Sequence, residues 1–439
     1  MQTNRTLRTM LLLMACCAMV NGASPAQVAF KVLYNSGPYG SPVWITQVSP
    51  ELFLWNTRDF ILSISPKTGA ITQLATIPGD CSTCGLGVPV PAANNRISAL
   101  FEGNSINPTH PFSFDLQPNS VHDYAPQTFT DNVLLNLPDG QLLGVGGNGV
   151  GGYYLIASDL QGNTTPVNHQ FPVDEVIGAG PIYGSDGNYY GISLPHNKTG
   201  YLYRLTPSGS FTKLLVQTTL DAGLPESLVQ ATDGNFYGLT PGTGANGYGA
   251  FYQATMDGQF TLLYSFTKQN QAPANLLQAS DGNFYGITNA YFVPPSGGEI
   301  FQLTKSGQYT PIYKVNGRDG QSYFARLFQG SDGRIYGTAA SGGQYGIGTI
   351  FALDIGLPKP APQALKFYPA EGHPGDKIRL WGYSLIEAAV TFNGVEAASV
   401  HNSGPNYVWA TVPSGATTGP ITVTTPGGTS KTESSFTVQ

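Results

Sequence analysis

The clearest pattern along the chain is a polar turn followed by an aromatic, β-favouring run, and it returns at nearly constant spacing. Residues 280–288 read S-D-G-N-F-Y-G-I-T, and near copies begin at Pro138 (PDGQLLGVG), Ser185 (SDGNYYGIS), Thr232 (TDGNFYGLT) and Ser331 (SDGRIYGTA). Asp139, Asp186, Asp233, Asp281 and Asp332 stand 47, 47, 48 and 51 residues apart. From Ser227 one copy reads S-L-V-Q-A, the D-G turn, N-F-Y-G-L-T, then G-A-F-Y-Q-A-T, and after M-D-G-Q the run F-T-L-L-Y-S-F. Short runs of β-favouring residues bounded by turn chemistry are strands, and Asp-Gly between them supplies the positive φ angles of a tight hairpin. Phe260, Leu262, Tyr264 and Phe266 fall on one face of the last strand at period two. Four such strands repeated at a period in the forties predict the blades of a propeller.

Degenerate copies extend the series towards the N-terminus. The copy at Pro138 has G-Y-Y-L-I-A-S from Gly152 as its third strand; N-N-R-I-S-A-L from Asn94 precedes P-F-S-F-D-L at Pro111; S-P-E-L-F-L-W from Ser49 precedes F-I-L-S-I-S at Phe60. Turns then lie near positions 50, 94, 139, 186, 233, 281 and 332, which predicts seven blades. The seventh copy stops after its third strand, G-T-I-F-A-L-D from Gly348, while residues 30–35 (F-K-V-L-Y-N) match 260–265 (F-T-L-L-Y-S). The N-terminal strand is therefore expected to complete the last blade. Beyond Asp354 the pattern changes to a proline-rich linker, 357–363, and β-rich runs at 377–381, 389–392, 407–412 and 420–424. The expected fold is all-β: a seven-bladed β-propeller over 27–356 followed by an Ig-like β-sandwich over 364–439.

Composition narrows the setting. Arg5 and Arg8, an apolar run from Met10 to Val20 and small residues at Gly22, Ala23 and Ala26 have the form of a secretory signal peptide over 1–26. That run is about half of the ~20 residues a spanning helix needs, so a secreted or cell-surface location is expected, with no membrane span. Leu13-Met14-Ala15-Cys16 loosely resembles a lipobox, which makes lipid attachment the weaker alternative. Without Arg5 and Arg8, 18 basic residues face 26 acidic ones, a net of −8 with no Lys/Arg cluster, which argues against nucleic acid and anionic membrane surfaces as partners. Cys81 and Cys84 form a lone C-x-x-C with no second ligand pair and no βαβ context, so in an exported chain a disulfide closing a loop is expected rather than redox or zinc chemistry.

Two family resemblances rest on these residues. The repeat S-D-G-N-F-Y-G…G-x-[IV]-F-x-L…G-x-[FY]-T-x-L-Y-x-F resembles the GloVer tandem repeat of bacterial choice-of-anchor proteins, well over 185–351 and in outline over 26–184. The resemblance implies an exported propeller and no activity of its own. The C-terminal unit resembles an IPT/TIG domain through Pro369, Gly372, Pro374-Gly375-Asp376, Leu380-Trp381-Gly382, Val390-Thr391-Phe392-Asn393-Gly394, Val412-Pro413-Ser414-Gly415-Ala416, Gly419-Pro420-Ile421-Thr422-Val423 and Phe436-Thr437-Val438. Leu385 departs from it, where an aromatic is commoner. This resemblance implies an Ig-like spacer, dimerisation or binding module without catalytic residues.

The repeated Asp invites a metal, but calcium takes six to eight oxygens, usually from several carboxylates close in sequence. D-G-N supplies one carboxylate and no D-x-D-x-D run occurs, so a turn in which Asp bonds its own backbone is expected, with no metal and no cofactor. Tyr190, Tyr237, Tyr285 and Tyr336, each before a Gly, are expected to pack between blades. Recognition is expected where copies differ, in the loops between second and third strands and those joining blades. These carry His196, Tyr248, Tyr291, Phe292 and Tyr345, with Asp221, Arg318 and Asp319. Aromatic faces beside a few polar groups suit an extracellular polysaccharide, and a surface protein is the other partner such a face fits. A monomeric, non-catalytic binding protein is the expectation. The six histidines are scattered and no G-x-S-x-G, H-E-x-x-H or P-loop occurs. The alternative is a lyase or hydrolase with carboxylates assembled from distant loops; virginiamycin B lyases also repeat an Asp-Gly turn but favour Trp in the strand that follows, and here only Trp44 and Trp55 lie in the repeats.

Overall fold

The computed structural model describes residues 28–43, 45–57, 60–76, 90–91, 96–101, 110–115, 121–123, 129–136, 142–147, 153–158, 164–171, 175–177, 181–195, 200–214, 227–288, 298–402 and 404–439. The chain is all-β and propeller-like, and among these residues no helix is long and apolar enough to cross a membrane. Among the described residues the repeats form seven small antiparallel sheets, six of which join only strands consecutive in the chain. The fifth, for example, runs Ser227–Gln230, Phe236–Thr240, Ala250–Ala254, Phe260–Ser265. The first begins at Ile45–Ser49 and the sixth ends at Tyr309–Lys314. The seventh takes Gln321–Gln329, Ile335–Ser341 and Thr349–Asp354 from the C-terminal side and Ala29–Asn35 from the other end of the chain. Ala29–Asn35 pairs antiparallel with Thr349–Asp354, from Ala29 opposite Asp354 to Asn35 opposite Thr349, as the residues 30–35 pattern predicts.

Two contacts repeat from sheet to sheet. The carboxamide oxygens of Gln230, Gln278 and Gln329, each the last residue of a first strand, accept the backbone N–H of Ser185, Thr232 and Ser280 in the preceding sheet at 2.7, 2.9 and 2.9 Å. Their amide nitrogens donate to the carbonyls of their own turns, Gly234, Gly282 and Gly333, at 3.0, 3.0 and 3.1 Å. Gln47 of the first sheet likewise accepts from Ser331 N–H of the seventh at 2.9 Å, but its amide nitrogen donates to Ser331 Oγ at 2.9 Å rather than to its own turn. Aromatic rings repeat the step: Phe236 on Tyr190 at 4.5 Å, Phe284 on Tyr237 at 4.4 Å, and Phe53 on Tyr336 at 4.6 Å. The seam between the last sheet and the first is thus built like the interior junctions.

In the fourth to seventh sheets a glycine on the second strand faces an aromatic on the third. A Cβ at Gly191, Gly238, Gly286 or Gly337 would meet the ring of Tyr203, Tyr252, Phe301 or Phe351 at 2.1–2.6 Å. The first sheet inverts the pair: Trp55 stands at the glycine position and Leu62 opposite it, both fully buried. One side of each pair is large and the other small, as close packing requires.

Two expectations need correction. Only the glycine of each Asp-Gly turn has positive φ (Gly187 86°, Gly234 83°, Gly282 81°, Gly333 94°), while no motif Asp does. Gly187 N–H bonds Gly184 C=O and Gly184 N–H bonds Asn188 C=O, a three-residue loop ending in a bulge rather than a two-residue hairpin. The period-two face of residues 260–266 also fails. Leu263 drops out of the pairing, as do Ile312, Leu33 and Leu74 at the equivalent places. A bulge shifts the strand by one residue and exchanges its faces. Phe260 therefore stacks on Tyr252, whereas Tyr264 and Phe266 pack towards the sixth sheet against Tyr309 and Phe301.

After the repeats, two further sheets pack face to face. One joins Gln363–Tyr368, Lys377–Tyr383, Tyr407–Thr411 and Ser399–Asn402; the other joins Glu371–Gly372, Gly428–Val438, Gly419–Thr425, Ala389–Phe392 and Val395–Glu396. Leu380, Leu385, Val390, Val408, Val423 and Phe436 form their common core.

Deleting the chain up to residue 37 removes the strand that joins both ends of the repeats, and cooperative melting of the repeats is expected to be lost in calorimetry. Gly286→Ala is expected to destabilise by about 1–3 kcal/mol by overpacking against Phe301. Adding Phe301→Leu, which copies the large-for-small exchange of the first sheet, is expected to recover part of that loss in denaturant titrations.

Candidate functional site

The repeated Asp has a complete set of local partners. At each described copy one carboxylate oxygen accepts the backbone N–H two residues on (Asn188, Asn235, Asn283, Arg334; 3.0–3.1 Å). The other accepts the phenol of the motif tyrosine: Tyr190 at 2.8 Å, Tyr237 at 3.1 Å, Tyr285 at 2.9 Å and Tyr336 at 2.7 Å. Each turn is thereby tied to the strand that follows it, and the tyrosines are buried as expected. Among the described residues no group of three or more His, Cys, Asp or Glu is placed to hold a metal ion.

The partners also set the charges. Burial alone would raise the Asp233 carboxyl, but hydrogen bonds from Lys305, Asn235 N–H and Tyr237, with the Lys305 ammonium 2.9 Å away, hold it below its usual range. At Asp186 burial likewise opposes, and Tyr190 and Asn188 prevail, again lowering it. Burial, then the charge and hydrogen bond of Asp233, push the Tyr237 phenol up to about 12. Tyr190, Tyr285 and Tyr336 are raised by burial and by their own Asp.

The loop end of the seventh sheet is different. Tyr345 is 59% exposed, the most exposed large hydrophobic side chain among the described residues of the repeats. It rides on a turn fixed by Gly346 N–H to Gly343 C=O (3.3 Å), Gly348 N–H to Gly342 C=O and Gly343 N–H to Gly317 C=O (both 2.9 Å), and Gln344 N–H to Asn35 Oδ1 (2.7 Å). Its ring lies beside Gly37, where a Cβ would stand 4.0 Å from it, an ordinary contact. Tyr34 and Tyr39 are half-buried beneath, packed on Trp55 (5.1 Å) and edge-on to Phe60 (5.8 Å). Burial raises the Tyr34 phenol, a hydrogen bond with the Gly37 backbone opposes this, and the nearby Tyr39 and Tyr345 phenols add to the rise. Ile347 is exposed beside the turn, and Pro42, next to exposed Val43, packs on Gly348. Three phenols and a small apolar rim thus meet at the seam.

The sequence-derived residues divide accordingly. The 316–320 loop receives the Gly343 N–H at Gly317, which sets the backbone of Arg318 and Asp319 beside the turn that carries Tyr345. Arg318 is exposed there. The Asp319 carboxylate instead braces its own loop, accepting Tyr313 Oη at 2.9 Å and Asn316 N–H at 3.1 Å, and it pushes Tyr313, already raised by burial, up to about 12. Tyr248 lies in the loop between Phe236–Thr240 and Ala250–Ala254 of the fifth sheet, half-buried against the cluster around Phe251 and Phe266, not as an open platform. His196, Asp221, Tyr291, Phe292, Cys81 and Cys84 lie outside the described residues. Tyr34 and Tyr39 were not anticipated; their signal is that the strand closing the seventh sheet must run straight into the loop leading to Ile45–Ser49, beside Tyr345.

The signs of the shifts set the pH response. A raised phenol stabilises fully below its ordinary value of about 10 and loses that contribution as pH climbs through the folded value, about 12 for Tyr237. A lowered carboxyl contributes above about 3.9 and loses it as pH falls through the folded value. Melting temperature is expected to hold flat between these limits and to fall on both sides. Tyr237→Phe is expected to shallow the alkaline limb, and Asp233→Asn the acid limb.

Among known proteins, no curated sequence matches this chain. The structure is similar to a fungal alcohol oxidase of the AA5 family in complex with copper, at 13% identity and TM-score 0.52, covering 94% of this chain and 100% of that one. It is similar to the extracellular domain assigned to a hybrid two-component system of B. thetaiotaomicron, at 11% identity and TM-score 0.52, covering 94% of this chain and 60% of that one. An oligogalacturonate lyase in complex with manganese is 14% identical at TM-score 0.50, with coverage of 75% and 96%. At such identities the likeness speaks for the all-β fold alone. Residues 177–360 match the family model described as the Gloeobacter/Verrucomicrobia repeat, which supports repeats of that type over this stretch.

Proposed function

We propose that the chain is an exported, non-catalytic binding protein whose loop face recognises an extracellular carbohydrate, with a surface protein as the other partner that face would fit. In this reading the seven sheets close as a seven-bladed propeller over 27–356, a linker spans 357–363, and residues 364–439 form an Ig-like sandwich of IPT/TIG type. Repetition of the glutamine and ring contacts across the Gln47–Ser331 seam supports the closed ring. The signal pattern over 1–26 supports export.

The observation that carries the binding assignment is Tyr345, exposed on a turn held by several backbone hydrogen bonds. A ring already fixed in place loses little freedom on contact. Its face can stack on the C–H groups of a pyranose, while Arg318 and the phenol tips of the cluster reach sugar hydroxyls.

The test is binding of the chain from residue 27 to a panel of bacterial and plant polysaccharides. Reversible binding is expected, with Tyr345→Ala weakening it about tenfold, close to 1.4 kcal/mol, and leaving the melting temperature unchanged. Binding that is indifferent to Tyr345→Ala overturns the site. Loss of polymer viscosity on binding would make the protein a lyase or hydrolase, and silence across the panel would turn the reading to a protein partner.

A further inference from the structure

The end of the repeats that carries the Asp-Gly turns is not free. In the C-terminal sandwich, side chains alternate along the strands: Ile378, Leu380, Val408 and Ala410 point into its own core. Trp381 and Tyr407 point the other way, out of the sandwich, yet are only 2% and 4% exposed. They are buried because they join the cluster of the fourth sheet that contains Tyr183, Tyr189 and Tyr190. The Trp381 indole meets the Tyr183 ring edge-on at 4.9 Å. Lys366 hydrogen-bonds the Tyr183 hydroxyl and stands 4.9 Å over the same ring. Tyr183 is the last residue before the fourth sheet's turn.

The linker is held at the opposite side. Pro358 C=O accepts Ser280 Oγ at 2.6 Å and Gln329 Nε2 at 3.0 Å, from the turn of the sixth sheet and the first strand of the seventh. Leu357 C=O lies so close to Gly333, in the seventh turn, that a Cβ there would meet it at 2.5 Å. Further on, Pro360 C=O closes against Gly427 and Ala364 N–H bonds Ser430 Oγ at 3.1 Å, so no slack remains between linker and sandwich. First strands of the fourth to seventh sheets touch their neighbours in turn, which places them on the inside of the ring. Three steps of a seven-membered ring separate the seventh sheet from the fourth, nearly a diameter. A chain anchored at both places crosses the middle.

We propose that linker and sandwich form a fixed plug across the turn-side mouth of the central channel, leaving the loop face as the channel's one entrance. This rests on the seven-bladed reading above, and it makes the sandwich a closure rather than a spacer.

Hydrogen–deuterium exchange on the chain from residue 27 tests it. The turn at 231–235 is the internal reference, since nothing lies within 4 Å of where a Cβ on Gly234 would stand. The turns at 183–188 and 330–334 are expected to exchange at least about tenfold more slowly than 231–235. Trp381→Ala, or Lys366→Ala if the first variant fails to fold, is expected to bring 183–188 to the rate of 231–235. Strands Ala389–Phe392 and Gly419–Thr425 are expected to stay protected. Equal rates for all three turns in the unmodified protein, with Phe236–Thr240 and Phe284–Ile287 still protected, overturn the plug and leave the ring standing. Rapid exchange in those two strands would instead count against the ring.

Discussion

Everything in the repeats depends on a side chain that bonds across a junction. A four-stranded sheet of this size cannot bury both of its faces alone, so each must be covered by the next. Packing of Phe236 on Tyr190 or Phe284 on Tyr237 supplies the apolar part, but packing alone does not set height or angle. The glutamine carboxamide does, because it accepts from the neighbouring turn and donates to its own. Each bond is worth only about 0.5–1.5 kcal/mol net, yet the bond between Gln47 and Ser331 joins residues 284 apart in sequence. The same acceptance from the neighbouring turn at a local junction and at the seam places both ends of the repeats in one cooperative unit.

The Asp–Tyr brace serves the glutamine. The N–H that donates to the glutamine oxygen belongs to the residue just before the motif Asp, so the turn must hold one shape in every copy. Asp fixes the turn through the N–H two residues on, and the tyrosine hydroxyl fixes Asp from the strand. Glycine at the fourth turn position supplies the left-handed conformation that closes the bulge. The carboxylates that repeat along the sequence are each bonded by their own turn and by the strand that follows it.

The repeat period, the strands of even the weakest copies and the N-terminal closing strand were all legible, because each leaves a pattern of turn residues and alternating runs. Phe30 to Asn35 could be placed in the seventh sheet from its likeness to Phe260 to Ser265 alone. The bulge at Leu263 was not legible, since a one-residue slip leaves composition and length unchanged and shows only in which cluster each aromatic joins. The outward burial of Trp381 and Tyr407 was hidden for a related reason. Both alternate correctly for strands, but alternation does not tell whether the outward side meets water or another sheet. At the loop face, Tyr345 was legible as an aromatic in a glycine-rich loop, while Asp319, which looks equally available, is held by Tyr313 and Asn316.

The junction of the seventh and first sheets is where the series of similar units stops being regular. Elsewhere the loop that enters a first strand comes from the preceding sheet in chain order; here it comes from the N-terminal strand, and it brings Tyr34, Gly37 and Tyr39 under Tyr345. The structural contacts of the repeat are conserved across this junction, so the fold does not require three phenols there. The loops are free to differ because the glutamine, the ring pair and the Asp–Tyr brace all sit towards the turn end. A division of labour follows from the geometry: the turn end of the sheets is fixed by repeated bonds and, at the fourth, sixth and seventh sheets, met by linker or sandwich contacts, while the other end is left to vary. An exposed aromatic on a pinned turn at the variable end is what that division would produce if the ring exists to present a surface.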